Sequence, residues 1–169
     1  FDIPTDNLVA TPVFAQDIRE NYGKKASDLM IVSPDVGGVV RALAVASRLN
    51  ADLAIVDKRR SGPGKSEVAN IIGDVSGRRL VMFDDIADSA GTLCSAAQSL
   101  MDAGAVEVSA YVTHGVLSGA AAERVKKSVL KELVITDSIE ASDQVSAESK
   151  IRTVSCAGLV GEAIRRIAN

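Results

Sequence analysis

The sequence is poor in aromatic residues: it has no tryptophan, and its three phenylalanines and two tyrosines make up 3% of the chain. A core therefore has to be built from Val, Ile, Leu and Ala. The two cysteines, Cys94 and Cys156, are too few for a disulfide framework and too far apart for a CxxC pair. We infer a reduced, cytoplasmic setting from this. No apolar run approaches the roughly 18 residues that cross a membrane, and no secretory leader is recognised, so we expect no membrane partner.

The sequence also lacks a large excess of either positive or negative charge. The 19 Lys and Arg residues against 22 Asp and Glu residues give a net charge of −3. This weak acidity argues against nucleic-acid binding through bulk charge. The length of 169 residues, with 47% hydrophobic and 24% charged residues, is typical of a soluble globular domain. We expect a single domain over residues 1–169.

Short apolar runs alternate with segments of helical period, which predicts an α/β domain with a mostly parallel sheet flanked by helices. The predicted strands are 29–32, 51–56, 79–83, 106–112, 132–136 and 151–154. The predicted helices are 11–22, 37–49, 92–103, 118–128 and 157–168. Thr92 is expected to cap the third helix, and Gly104 to follow its end in a left-handed conformation. Residues 61–76 predict a loop and then a short β-ribbon.

The segment 84–92 combines acids with small residues at a predicted helix start. In such folds ligands bind at the carboxyl ends of the strands. Small residues let backbone N–H groups approach an anion, and the helix dipole favours negative charge there. Asp84 and Asp85 suit sugar hydroxyls or Mg²⁺ instead. This combination predicts a sugar-phosphate pocket, against the alternative of a solvated strand-to-helix turn.

Two further segments follow predicted strands. Asp35, between Pro34 and a glycine pair, is a candidate for holding a cation or orienting a nucleotide, with capping of the next helix as the alternative. Lys58, Arg59 and Arg60 stand together before a Gly-Pro-Gly sequence, and their mutual repulsion predicts a bound anion. A solvated loop is the alternative there. The flanking glycines predict a mobile lid.

Several segments together resemble the ribose-phosphate pyrophosphokinase family, also called phosphoribosyl pyrophosphate synthetases. They are 1–4, 33–38, 57–60, 70–75, 84–92 and 111–115, and the resemblance continues to the last predicted helix. The 84–92 segment alone resembles the ribose-phosphate loop of the type I phosphoribosyltransferase fold. The cationic segment 57–60 and the Asn-Ile-Ile-Gly-Asp-Val segment point to the synthetases. The resemblance implies a phosphoribosyltransferase-like fold with a small β-ribbon and lid around 58–76.

The resemblance also implies an activity for nucleotide biosynthesis. The diphosphoryl group of Mg-ATP is transferred to the C1 hydroxyl of ribose 5-phosphate, which gives phosphoribosyl pyrophosphate and AMP. Lys58 and Arg60 are implied to be catalytic, and Asp35 to hold Mg²⁺. The residues implied to bind ribose 5-phosphate are Arg60, Asp84, Asp85, Asp88, Ser89, Ala90, Gly91 and Thr92.

In the family, a related domain precedes the Phe-Asp-Ile-Pro segment and supplies much of the ATP site. The resemblance, with Phe1 in place of Met, predicts the C-terminal half of a longer protein. That domain or further copies of the chain are the expected partners. The 169 residues alone are expected to bind ribose 5-phosphate but to release little AMP.

Two alternatives remain open. A phosphoribosyltransferase would use the same loop to consume phosphoribosyl pyrophosphate, although only 61–76 could form its base-selecting hood. A non-catalytic regulatory relative is disfavoured by the intact Lys58, Arg60 and acidic segment.

Overall fold

The computed structural model describes residues 2–23, 27–60 and 67–168, without the side chains at 58–60 and 67–69. The helices in these ranges are α1 (Thr11–Tyr22), α2 (Val39–Leu49), α3 (Gly91–Asp102), α4 (Ala121–Lys127), α5 (Asp143–Ser146) and α6 (Ala157–Ile167). The strands are β1 (Leu29–Ser33), β2 (Asp52–Arg60), β3 (Glu67–Ile72), β4 (Arg79–Ala87), β5 (Glu107–Gly115), β6 (Leu133–Thr136) and β7 (Ile151–Val154). No helix within the described ranges is long and apolar enough to span a bilayer.

The strands form one seven-stranded sheet in the order β3-β2-β1-β4-β5-β6-β7. All neighbours are parallel except β2 and β3, which form an antiparallel ribbon at one edge. From β1 the chain adds β2 on one side and later β4 on the other, so the strand order reverses between β1 and β4. At such a reversal the loops after the two strands diverge and leave a crevice at the carboxyl ends.

Helices cover both faces of the sheet, as the uniformly apolar strands predict. In β1, for example, Met30 and Val32 join a core with α3, α4 and α5, while Leu29 and Ile31 join a core with α1 and α2. The few aromatic rings are concentrated in the second core. Phe14 meets Phe83 and Tyr111 edge to face, with ring centroids 5.5 and 5.4 Å apart. The predicted fold class, a mostly parallel sheet flanked by helices, is confirmed.

Three predicted strand ends were wrong. β5 continues from Val112 to Gly115 because it stays paired with β4. β2 continues from Val56 to Arg60 because it pairs with β3 beyond the parallel part of the sheet. β4 continues from Phe83 to Ala87 because it stays paired with β5. Lys58 and Arg60 therefore belong to the ribbon rather than to a loop, and Asp84 and Asp85 belong to the end of a strand. The predicted ribbon is confirmed, whereas residues 61–66 of the ribbon and lid predicted around 58–76 lie outside the described residues.

The predicted cap of α3 was also wrong. Ala90, not Thr92, is the N-cap residue, and no side chain caps the helix there. The predicted left-handed Gly104 is confirmed at φ 93°. The helix α5 was not predicted, because its four residues are too few to show a helical period.

Candidate functional site

A crevice of about 470 Å³ opens at the carboxyl ends of β1 and β4. Asp35, Gly37 and Arg41 line it on the β1 side, and residues 84–93 line it on the β4 side. The fold thus brings together two of the three segments that the sequence analysis selected.

A second cavity, of about 460 Å³, lies between α1 and α6. Two of its three acids are already paired with arginines, and the third, Glu20, accepts a hydrogen bond from Gln16 at 3.0 Å. Asp17 pairs with Arg152 at 2.8 Å, and Glu162 pairs with Arg165 and Arg166 at 2.8 and 2.7 Å. The crevice at the strand-order reversal is therefore the better candidate site on charge.

Four carboxylates, those of Asp35, Asp84, Asp85 and Asp88, and the guanidinium of Arg41 line the crevice. Arg41 Nη2 is 3.3 Å from Asp84 Oδ1 and 3.2 Å from Asp85 Oδ1. Burial raises the pKa of Asp84 to about 6, and the charges of Asp85 and Asp35 raise it as well. The cluster holds more negative than positive charge, so hydroxyl donors or a cation would stabilise it.

This oxygen-donor set fits Mg²⁺, which prefers carboxylates, water and substrate phosphates. Within the described ranges, no group of three or more acidic, histidine or cysteine side chains is arranged to hold a metal ion. The crevice therefore offers Mg²⁺ one or two carboxylates rather than a complete set of ligands.

The turn after β1 holds Asp35 firmly in place. Asp35 Oδ1 accepts a hydrogen bond from the Gly38 N–H at 2.8 Å, and Ser33 Oγ donates to the Asp35 carbonyl oxygen at 2.7 Å. The carboxylate thus lies beside the start of α2, but Gly38 is the N-cap residue and no side chain caps that helix, so the capping alternative is not confirmed.

We expect Gly38→Ala to lower the free energy of unfolding by about 1–3 kcal/mol. A Cβ at Gly38 would lie 2.8 Å from Ser33 Oγ, so the Ser33–Asp35 turn would have to move. Urea denaturation measures the change. Gly161→Ala in α6 is the control, because a Cβ there meets nothing within 4 Å. Equal losses in the two variants would contradict this packing explanation.

The β4–α3 loop, residues 88–90, brings the start of α3 to the crevice. Ala90 adopts φ 57° and is buried, which is uncommon for a residue with a Cβ. The Ser118 hydroxyl donates to Asp88 Oδ1. The carboxylate of Asp88 is therefore engaged by the segment after β5.

The ribbon carries the backbones of Lys58 and Arg60 to the carboxyl edge of the sheet, the edge at which the crevice opens. The parallel pairing of β1 with β2 ends at Ser33 and Ile55, so residues 57–60 run beyond the carboxyl edge. The backbones of Lys58 and Arg60 pair with Ala69 and Glu67. The side chains of Lys58 and Arg60 lie outside the described residues.

Sequence reasoning missed Arg41. The spacing could have indicated it, because Arg41 is three residues after Gly38, and a helix places residues at this spacing on the same face. Its contact with Asp84, 43 positions away, depends on the pairing of β1 with β4.

Comparisons with known proteins agree with this geometry. The sequence profile of the phosphoribosyl synthetase-associated domain matches residues 63–169. The ribose-phosphate pyrophosphokinase of Caulobacter vibrioides (strain NA1000 / CB15N) is 72% identical over 170 residues, which cover 100% of this chain and 54% of that protein. The crystal structure of phosphoribosylpyrophosphate synthetase from Mycobacterium smegmatis superposes with a TM-score of 0.88 at 31% identity, over 99% of this chain and 53% of that chain. This chain spans about half the length of these relatives.

The sheet and its crevice define a fold of the phosphoribosyltransferase type. The purine phosphoribosyltransferase from Pyrococcus horikoshii Ot3 shares this fold, with a TM-score of 0.53 at 21% identity over 87% of this chain and 85% of that chain. The chain belongs to the family of the phosphoribosyl synthetase-associated domain, together with proteins named ribose-phosphate pyrophosphokinase. The resemblance seen in the sequence is thereby confirmed.

Proposed function

We propose that this chain is the ribose 5-phosphate-binding domain of a ribose-phosphate diphosphokinase. The observation that carries the proposal is the crevice itself, where the start of a helix lies beside the buried carboxylate of Asp84 and the half-exposed one of Asp85 at the strand-order reversal. The names of the relatives support the same reaction. The domain covers residues 1–169.

The start of α3 and the carboxylates at the end of β4 bind different parts of the substrate. The 5-phosphate is bound by N–H groups at the start of α3 and by the hydroxyls of Ser89 and Thr92, since the helix dipole favours an anion there. The ribose hydroxyls donate to Asp84 and Asp85. Hydrogen bonds to a carboxylate favour its charged form, so substrate binding lowers the raised pKa of Asp84.

Diphosphoryl transfer then needs alignment and charge neutralisation. The C1 hydroxyl oxygen of ribose 5-phosphate bonds to the β-phosphorus of ATP and its proton passes to water, while the bond from that phosphorus to the α,β-bridging oxygen breaks and AMP leaves. Lys58 and Arg60 donate to the transferring phosphoryl oxygens, and Asp35 helps to hold the Mg²⁺ of Mg-ATP. That ion neutralises the triphosphate when bound, and the residues need form no covalent intermediate.

Exposed apolar residues on α2 support contacts with further copies of the chain. Val40 and Leu43 of α2 expose 80% and 50% of their area, and such apolar patches favour protein contacts. We propose a homo-oligomer in the cytoplasm. Light scattering on the full-length protein measures its mass, and a monomer at micromolar concentration would contradict this part.

Product analysis tests the reaction against the phosphoribosyltransferase alternative. The full-length protein is incubated with Mg-ATP and ribose 5-phosphate, and separately with phosphoribosyl pyrophosphate and a purine base. We expect AMP to form only when ribose 5-phosphate is present, and the free base to persist. Consumption of the base would contradict the proposal.

A further inference from the structure

The β4–α3 loop is held from outside by the segment that follows β5. The Leu117 N–H donates to the Ala87 carbonyl oxygen at 3.0 Å, and the Ser118 N–H donates to that of Asp88 at 3.0 Å. Leu117 is buried and adopts φ 47°. Such a left-handed residue turns the backbone so that neighbouring N–H groups converge on one side. The carbonyl at the end of β4 and the first carbonyl of the loop are therefore fixed by backbone donors.

The third carbonyl in the row is held by a side chain. The Arg124 guanidinium of α4 donates to the Ser89 carbonyl oxygen, from 35 positions away in the chain. No peptide bond in the described ranges is cis. In a trans peptide the C=O and N–H groups point in opposite directions. The Ser89 carbonyl turned toward Arg124 therefore directs the Ala90 N–H away from α4.

Ala90 is the residue for which this direction matters most. It is buried, it lines the crevice, and it immediately precedes the first residue of α3. An N–H directed away from α4 at this position points toward the crevice, where it adds to the donors at the helix start. A guanidinium suits the task because its planar set of donors stays charged at every physiological pH.

We propose that Arg124 is a positioning residue, which fixes the Ser89–Ala90 peptide so that the Ala90 N–H donates to the 5-phosphate. The proposal rests on the proposed function of the crevice. Arg124 acts from the back of the loop and does not touch the substrate. Its effect therefore concerns phosphate binding and not the chemical step.

Two variants of α4 separate this role from simple charge attraction. Arg124→Gln removes the guanidinium, and Lys127→Gln removes an equal charge one turn away, where Lys127 pairs with Glu123 at 2.9 Å on the surface. Calorimetric titration with ribose 5-phosphate gives the affinity of each. ¹H–¹⁵N NMR of the 169-residue chain follows the Ala90 amide during the same titration.

We expect Arg124→Gln to bind ribose 5-phosphate about tenfold more weakly, and Lys127→Gln to bind like the wild type. In the wild type the Ala90 amide proton should move downfield on binding, and in Arg124→Gln this shift should shrink. Equal losses in both variants, or an unchanged Arg124→Gln, would overturn the proposal.

The wild-type spectrum decides the matter even where Arg124→Gln does not fold, because an Ala90 amide unmoved by bound ribose 5-phosphate also overturns the proposal. Failure of the wild type to bind ribose 5-phosphate is a different result. It would refute the proposed function, and this inference with it.

Discussion

Asp84→Asn is expected to weaken ribose 5-phosphate binding at least about tenfold, because a hydrogen bond to a charged group contributes on the order of 1.5–3 kcal/mol. Asn keeps the shape of the side chain but loses the charge that accepts sugar hydroxyls. Calorimetry measures the affinity. Asp102→Asn, the same change at the exposed far end of α3, is the control and should leave the affinity unchanged.

The same substitution should stabilise the protein at neutral pH. Burial raises the pKa of Asp84 from 3.8 to about 6, so the ionised carboxylate is costlier in the folded state than in the unfolded one. Removing that cost gains on the order of 1–3 kcal/mol in the free energy of unfolding. A binding-site residue that lowers the stability of the free protein is expected to show such a gain when it is replaced.

The pH dependence of this gain has a defined sign. The folded state keeps the Asp84 proton up to about pH 6, whereas the unfolded chain releases it near pH 3.8. Wild-type stability therefore falls, relative to Asp84→Asn, as the pH rises through this window. The advantage of Asp84→Asn should be complete above about pH 6 and absent below pH 3.8. Thermal unfolding of both proteins across this range measures it, and an advantage that grew toward acid would contradict the buried-charge explanation.

Lys58→Ala in the full-length protein should lower the turnover number about a hundredfold or more, with far smaller changes in the apparent affinities for ATP and ribose 5-phosphate. The backbone of Lys58 lies on the ribbon beyond the carboxyl edge of the sheet. The proposed function assigns its ammonium group to the negative charge that shifts between phosphoryl oxygens. Steady-state kinetics of AMP release separate the two effects.

Lys126→Ala is the control for this kinetic prediction, because Lys126 is an exposed lysine of α4 outside the crevice lining. A Lys58→Ala enzyme whose turnover stayed within about a factor of two of the wild type would remove Lys58 from the chemical step.

The sequence predicted the elements whose signal is local. Apolar strands of Val, Ile and Leu predicted a sheet covered on both faces, and the acids and small residues of 84–92 predicted where the crevice opens. The ends of β2 and β4 were missed because Lys58, Arg60, Asp84 and Asp85 interrupt the apolar pattern. Those ends depend on pairing with β3 and β5.

The parts of the site that sequence reasoning could not reach are long-range contacts. Arg41 meets Asp84 across 43 positions, and Arg124 meets Ser89 across 35. Neither contact follows from a helical or strand period in the sequence, because both contacts depend on which strands become neighbours in the sheet. The left-handed backbone of Ala90 was also hidden, because Ala in a small-residue loop carries no signal for positive φ.

Calorimetric titration of the 169-residue chain with ribose 5-phosphate tests the central claim most directly. The β4–α3 loop, the start of α3 and the carboxylate pair all lie within one strand-loop-helix unit of this chain. We therefore expect saturable binding of one ribose 5-phosphate per chain, weakened in Asp84→Asn and unaffected in Asp102→Asn. A folded chain that released no heat of binding with millimolar ribose 5-phosphate at several temperatures, or an Asp84→Asn variant that bound as tightly as the wild type, would contradict the assignment of this crevice as the sugar-phosphate site.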